Sequence, residues 1–397
     1  MELKKYKLNV IAEILAGGTP STKKPKYWNG NIPWLSVKDF GNVNKIVSDT
    51  EKTITQLGFN NSPSSLLHRG DLIISARGTV GKIAMVDKDM AFNQSCFGLR
   101  ANKELVTSDF LFYWFANNQQ IFKSAQQGNI FKSITLDFFD KTLASIPPLD
   151  QQRRIASVLS SLDSKIALNR RINTKLETIA KRLYDYWFVQ FDFPDANGNP
   201  YKSSGGKMVW NDALKREIPE GWEVKSVDNH CKIFTGKKDV NQSLEQGKYK
   251  FFSCAPGYRF SNDKIYDGKA ILISGNGSYT GRTIFVNDAF DLYQRTYAVV
   301  LKQSNENILE YLFQTMQSFL SPKVNGGTHG SAIPYIVYND IAKEMFVLPP
   351  NKILNAYNAY IIPIFKEIQN SEKETARLTA LRDKLLPLLM NGQVEVA

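Results

Sequence analysis

Gly70-Asp71-Leu72-Ile73-Ile74-Ser75-Ala76-Arg77-Gly78-Thr79-Val80-Gly81-Lys82 is written again about 200 positions later. There it reads Gly268-Lys269-Ala270-Ile271-Leu272-Ile273-Ser274-Gly275-Asn276-Gly277-Ser278-Tyr279-Thr280-Gly281-Arg282. Each copy is an apolar strand ending in Ser, a glycine loop with a hydroxyl residue, then Gly and a cation. Further on, Ile146-Pro147-Pro148 opens a long amphipathic segment, and Leu348-Pro349-Pro350 opens another. The chain is a module and a long helix, repeated once.

Its 397 residues allow two or three domains, each with its own core. Segments 1–148 and 191–348 read as globular modules, and 149–190 and 349–397 as helical regions. Residues 8–15 begin the first module, and a polar loop over 17–30 follows. Strand-like runs come next at 32–37, 71–75 and 82–86, then a short helix with Phe110, Leu111, Tyr113, Trp114 and Phe115. Short strands mixed with short helices give an α/β (α+β) module. A turn-rich polar linker over 192–207 separates the repeats, and the second module opens near Ile218-Pro219-Glu220-Gly221-Trp222.

From 150 to 188 apolar residues alternate by four and three: Ile155, Leu159, Leu162, Ile166, Leu176, Ile179 or Ala180, Leu183 and Trp187. The two middle slots hold Asn169 and Asn173. The segment 352–389 places Tyr357, Ile361, Ile364, Ile368, Leu378, Leu381 and Leu385 on its stripe, with Ser371 and Thr375 in the middle. Two helices with polar centres match best antiparallel, as a coiled coil whose Asn, Ser and Thr residues meet in one layer and fix register. Pro363 should kink the second helix or mark its true start, and Pro387 should disturb its last turn. The expected fold is two pseudo-symmetric modules joined by this coiled coil.

No apolar run approaches the 18 residues of a membrane span, and the N-terminus lacks a signal-peptide pattern. Cys96, Cys231 and Cys254 form no metal-spaced pair or disulfide framework, which points to a reducing cytoplasm. The net charge is +12, and most of the excess lies in residues 1–190. Such a surface suits a polyanion or serves solubility.

Catalytic motifs are missing. His68, His230 and His329 stand apart, no metal cluster is spaced correctly, and Gly275-x-Gly277-x-x-x-Gly281 lacks dinucleotide-loop spacing. What remains is binding chemistry. Arg77, Thr79 and Lys82, with Asn276, Ser278, Tyr279 and Arg282, sit on glycine loops whose free N–H groups, hydroxyls and cations suit phosphate. A plain turn with a solvated cation uses the same residues. Asn93-Gln94 and Gln294-Arg295 follow at equivalent places, where amides and guanidinium groups read base edges or stabilise turns. Lys23, Lys24, Lys26 and Trp28 form a basic aromatic loop, and Lys132, Lys237 and Lys238 complete the set of candidate contacts.

These features resemble the specificity subunit of a Type I restriction–modification system over essentially the whole chain. The marks are Gly17-Gly18-Thr19-Pro20-Ser21 with Trp28-x-Gly30-x-Ile32-Pro33-Trp34, and Gly70-Asp71-Leu72 leading to Arg77-Gly78-x-x-Gly81-Lys82. Others are Pro147-Pro148-Leu149 with Gln151-Gln152-Arg153-Arg154-Ile155, then Pro219-Glu220-Gly221-Trp222, and Leu381-Arg382-Asp383-Lys384-Leu385-Leu386-Pro387. The resemblance implies two target-recognition domains, each reading half of a split asymmetric double-stranded DNA site, with the helices setting the gap. It implies no catalysis and no cofactor in this chain: S-adenosylmethionine, ATP and Mg belong to two methyltransferase and two restriction subunits that join it. The second module departs from the pattern. Its loop is reduced to Phe234-Thr235-Gly236-Lys237-Lys238, and Asn276 stands where the first has Arg77. A helical scaffold that binds proteins and reads no DNA is the rival expectation.

Overall fold

The computed structural model describes residues 3–40, 45–122, 133–303, 307–325 and 334–396, without the side chains of 321–325. Two compact units divide the chain, Met1–Ile172 with Ser371–Ala397, and Asn173–Asn370. Each therefore holds one module and half of both long helices.

In the first unit, Leu72–Ser75 lies inside a five-stranded sheet. The order is Ala12–Ala16, Cys96–Ala101, Leu72–Ser75, Ile83–Val86, Ile46–Val47. All four residues of Leu72–Ser75 are buried, which is why Leu72, Ile73 and Ile74 are continuously apolar rather than alternating. A second sheet pairs Trp28–Leu35 in parallel with Met90–Phe92 and antiparallel with Lys52–Ile54. Lys4–Lys7 pairs with Leu143–Ile146, joining the two ends of the module. The helix Ser108–Asn117 starts on Thr107, whose hydroxyl accepts from Phe110 N–H, and buries Phe110 to Phe115 in the core.

The second unit repeats this plan. Its six-stranded sheet runs Cys231–Thr235, Thr296–Leu301, Tyr266–Ser274, Thr283–Leu292, Tyr249–Phe252, Arg259–Ser261. Tyr249–Phe252 again lies parallel to a neighbour, and Glu223–Ser226 pairs with Met345–Leu348. The 192–207 segment is polar and rich in turns, and its first residues are packed. The Asp192 carboxylate accepts from Ser203 N–H at 2.8 Å and Oγ at 2.7 Å, and the Phe193 ring is stacked between Tyr201 and Trp222.

The long helices are Leu149–Tyr184, extended by a π-helical turn over Asp185–Val189, and Asn351–Met390. Within the first unit Asp163 bonds Arg382 at 3.0 Å, while Asn169 bonds Glu374 at 2.7 Å and its carbonyl accepts from Ser371 Oγ at 3.4 Å. Partner numbers fall as these rise, so the helices are antiparallel. Within the second unit Trp187 and Phe188 pack on Tyr357, and Ala180 joins the same core as Ile361 and Phe365.

The structure fills one open slot in the stripes and departs from them at Leu381. Ala180 is buried while Ile179 is 52% exposed, so Ala180 occupies the slot left open between them. Leu381 is 43% exposed, because the inward position falls to Arg382, which reaches Asp163. Pro363 does not start the second helix, which begins twelve residues earlier at Asn351. Burial of Leu354, Tyr357 and Ile361 outweighs the roughly 3 kcal/mol cost of an interior proline. Pro387 is also helical, with the end three residues on at Met390. In the polar layer Asn169 and Ser371 are buried, Thr375 is half-buried, and the Asn173 side-chain oxygen is buried with no hydrogen-bond partner among the described residues.

A polar network anchors the first module to its helices. Tyr113 Oη donates to Asp163 at 2.6 Å, and Lys45 Nζ reaches Asp109 at 2.6 Å and Ser160 at 2.7 Å. Burial and the bond to Asp163 push the Tyr113 hydroxyl far above its usual range. Burial lowers the Arg382 pKa, but its bonds to Asp163 and Asp383 raise it more, leaving it above normal. Asp163→Ala strands both donors and should cost about 2–3 kcal/mol. Asn169→Leu removes a buried amide and should stabilise by about 1 kcal/mol. Equilibrium denaturation of both variants checks these signs.

Candidate nucleic-acid interface

The strand end at Ser75 is clasped across its own loop. Ser75 N–H donates to Lys82 O and Gly81 N–H to Ser75 O, both at 2.9 Å. The Ser75 hydroxyl accepts from Lys82 N–H and donates to Thr79 O. The turn needs φ of +73° at Gly78 and +85° at Gly81, values that favour glycine. Arg77, Thr79 and Lys82 are left exposed on the rim.

The second module repeats the clasp. Ser274 N–H donates to Arg282 O at 2.9 Å and Gly281 N–H to Ser274 O at 2.8 Å. The surrounding backbone bonds also recur. Ala76 N–H to Ser95 O matches Gly275 N–H to Arg295 O, and Ile134 N–H to Ala76 O matches Ile336 N–H to Gly275 O. Asn93 N–H to Leu35 O matches Tyr293 N–H to Phe252 O. Even the reduced loop keeps its key residue. A Cβ on Gly17 would lie 2.0 Å from Asn93 O, and one on Gly236 would lie 1.9 Å from Leu292 O.

Around the first clasp lies an open cleft of about 480 Å³. It gathers Arg77, Thr79 and Asn93 with Trp34, Ser36, Lys38, Asp39, Glu51, Lys52 and Ser95. Gln94 is exposed nearby and takes the Thr19 hydroxyl on its amide oxygen. Lys23, Lys24 and Lys26 are exposed but do not line the cleft. Lys24 lies over the Tyr27 ring at 5.2 Å. Trp28 sets its ring edge-on to Trp34 at 5.1 Å and joins a small core with Ile54 and Ala91. Lys132 lies outside the described residues.

In the second module Ser278, Tyr279, Gln294 and Arg295 are exposed, and Asn276 bridges to Tyr335. Arg282 is half-buried and donates to Ala255 O at 3.2 Å, and burial pulls its guanidinium below the ordinary value. Gln294 Nε2 donates to Asp239 at 3.1 Å. The adjacent lysines differ. Lys237 is exposed, whereas Lys238 uses its three donors on Asp291, Ser261 and Asp263 at 2.7, 2.7 and 2.9 Å. The bond to Asp291 leads the causes that raise its pKa.

Sequence reading did not bring in Ser36, Lys38, Glu51 and Lys52. They are 25 or more residues from Arg77; the parallel pairing of Trp34–Leu35 with Ala91–Phe92 and the antiparallel pairing of Trp34 with Lys52 bring them to it. Aligning Leu35-Ser36 with Phe252-Ser253 across the repeat was the available signal.

The chain therefore carries one clasp twice, on two modules each packed against paired helices. The family model for the Type I restriction modification DNA specificity domain matches residues 1–178 and again 219–380, and the chain belongs to this family. It is similar to the Type I restriction enzyme MjaIX specificity subunit of Methanocaldococcus jannaschii, 28% identical over 98% of this chain and 93% of that one. It is also similar to the HindI specificity subunit of Haemophilus influenzae, 24% identical over 83% and 87%. The fold is shared with the crystal structure of the Type-I restriction-modification system S subunit from M. genitalium, at TM-score 0.63 and 14% identity over 98% and 96%.

The chain is thus a DNA sequence-recognition subunit, a targeting rather than a catalytic chain, and the DNA-blind scaffold is set aside. Among the described residues, no helix is long and apolar enough to cross a membrane.

The two lysines give a local test. Lys237→Ala should reduce the slope of log affinity for DNA against log salt by about one unit at most, as loss of one phosphate contact does. Lys238→Ala should instead lower unfolding stability by about 2 kcal/mol, because buried Asp291 loses its cation and keeps only the bonds from Ser261 and Leu292. Salt titrations and denaturation of both variants separate the roles.

Proposed function

We propose that each module reads one half of a split asymmetric DNA site, with the glycine clasp gripping the phosphate backbone. The observation that carries this is the repetition of the clasp with a cation at the same place, Lys82 and Arg282, on two modules whose other loops differ. Shared backbone geometry suits the part of DNA that is the same everywhere, and differing loops suit the part that is not.

On this reading Arg77, Thr79 and Lys82 contact phosphate in the first module, and Ser278, Tyr279 and Arg282 in the second. On the same reading Gln94, which accepts from Thr19, and Gln294 with Arg295 contact base edges. The helix pair sets the unspecified gap. Two methyltransferase and two restriction subunits join the chain in the cytoplasm, one set for each repeat, and bring S-adenosylmethionine, ATP and Mg with them. The pseudo-symmetric doubling and the strongly basic first half support this arrangement.

Mapping methylated adenines in cells carrying the complex tests it. Exchanging residues 1–148 for another such module should change one half-site and leave the other intact; a change in both would refute the two-part reading. Arg77→Ala and Lys82→Ala should weaken binding across all sequences and flatten its salt dependence. Gln94→Ala should relax one position by roughly 1–3 kcal/mol.

A further inference from the structure

Each module has a second loop beside its clasp, directly after the strand that lies parallel to its neighbour. In the first it opens at Ser36 into the short helical turn Val37–Phe40, with Glu51 and Lys52 across the same cleft. In the second it is Ser253 to Arg259, turning at Gly257 with φ +81°. The two loops leave equivalent strands, since Leu35 O and Phe252 O accept the matching bonds from Asn93 and Tyr293. Beyond that point their chemistry diverges.

The first loop is charged and rigid. Both Asp39 oxygens are used inside it, one by Glu51 N–H at 2.7 Å and the other by Ser36 N–H and Oγ at 2.7 Å. This holds Lys38 and Glu51 exposed, and among the described residues neither side chain has a partner. The second loop is aromatic and exposed from Ala255 to Arg259. The Tyr258 ring rests edge-on against Phe260 at 5.5 Å with Lys250 Nζ above it at 5.1 Å. Arg282 of the clasp ties the loop in by its bond to Ala255 O.

We infer that these second loops, rather than the clasps, discriminate between bases: Lys38 and Glu51 in the first module, Tyr258 and Arg259 in the second. The inference rests on the two-half-site reading and names its specificity-determining side chains. Modules reading different half-sites must differ where they read, and here the difference begins one residue after a shared frame. A lysine and a carboxylate suit a G·C pair, donating to guanine O6/N7 and accepting from cytosine N4. An arginine beside an aromatic ring suits guanine next to a thymine methyl.

The test is adenine-methylation mapping with the full complex carrying Lys38→Ala, Glu51→Gln, Tyr258→Ala or Arg259→Ala, all exposed positions. Lys38→Ala and Glu51→Gln should each lower discrimination on the order of tenfold at a position of one half-site only. Tyr258→Ala and Arg259→Ala should do so only in the other half. Lys38→Arg, which keeps the charge, should retain the motif. An unchanged motif, uniform loss of methylation, or relaxation in both halves would overturn the inference. A wild-type complex that methylates no two-part site would overturn the underlying function reading and this inference with it, an outcome distinct from the others.

Discussion

The clasp between a buried strand end and its own loop is the constraint on which the interface depends. Ser75 and Ser274 close their loops with two backbone hydrogen bonds each, and burial of their strands leaves no water to replace those bonds. The loop must therefore turn within a few residues, and positive φ at Gly78 and Gly81, and at Gly277 and Gly281, makes that turn possible. The cation that follows takes its place from this backbone geometry: the Lys82 side chain is exposed, whereas the Arg282 side chain also donates to Ala255 O. That is why Lys82 and Arg282 can differ while their place does not.

The sequence shows this frame well because its determinants are local. A buried strand is a continuous apolar run, a tight turn is a pair of glycines, and both occur within thirteen to fifteen consecutive residues. Long helices are legible for the same reason, since a four-three stripe repeats over many turns. Legibility fails where tertiary burial overrides a local rule. Pro363 reads as a kink or a helix start, yet Tyr357 and Ile361 on one side and Phe365 on the other are buried in one core, so the helix starts earlier and runs through it. Leu381 reads as a stripe position, but a single ion pair turns the adjacent Arg382 inward. The cleft beside the first clasp is least legible, because its walls come from distant segments joined by a parallel and an antiparallel strand pairing.

Lys237 and Lys238 show the same limit on a smaller scale. By composition they are one basic dipeptide beside a glycine. In the fold one is exposed and the other is surrounded by two carboxylates and a hydroxyl. Charge counts in sequence give the field of a surface but cannot say which cations are already neutralised within it. The first-module cations Arg77 and Lys82 are exposed, so their charge remains available to a ligand.

The two units solve one packing problem with different chemistry. Where the first module meets its helices, Tyr113, Asp163 and Arg382 form a hydrogen-bonded chain with Lys45 and Asp109 nearby. In the second unit, Phe188, Tyr311 and Tyr357 meet ring to ring, with Phe313 and Phe365 beside one another. Aromatic packing tolerates small displacements because its attraction is spread over many contacts. A buried polar chain does not, since a donor moved out of reach costs its full desolvation. The first unit's network is consequently the stricter definition of how a recognition module is held on its helix pair, and its strictness comes from having few equivalent arrangements rather than from greater strength.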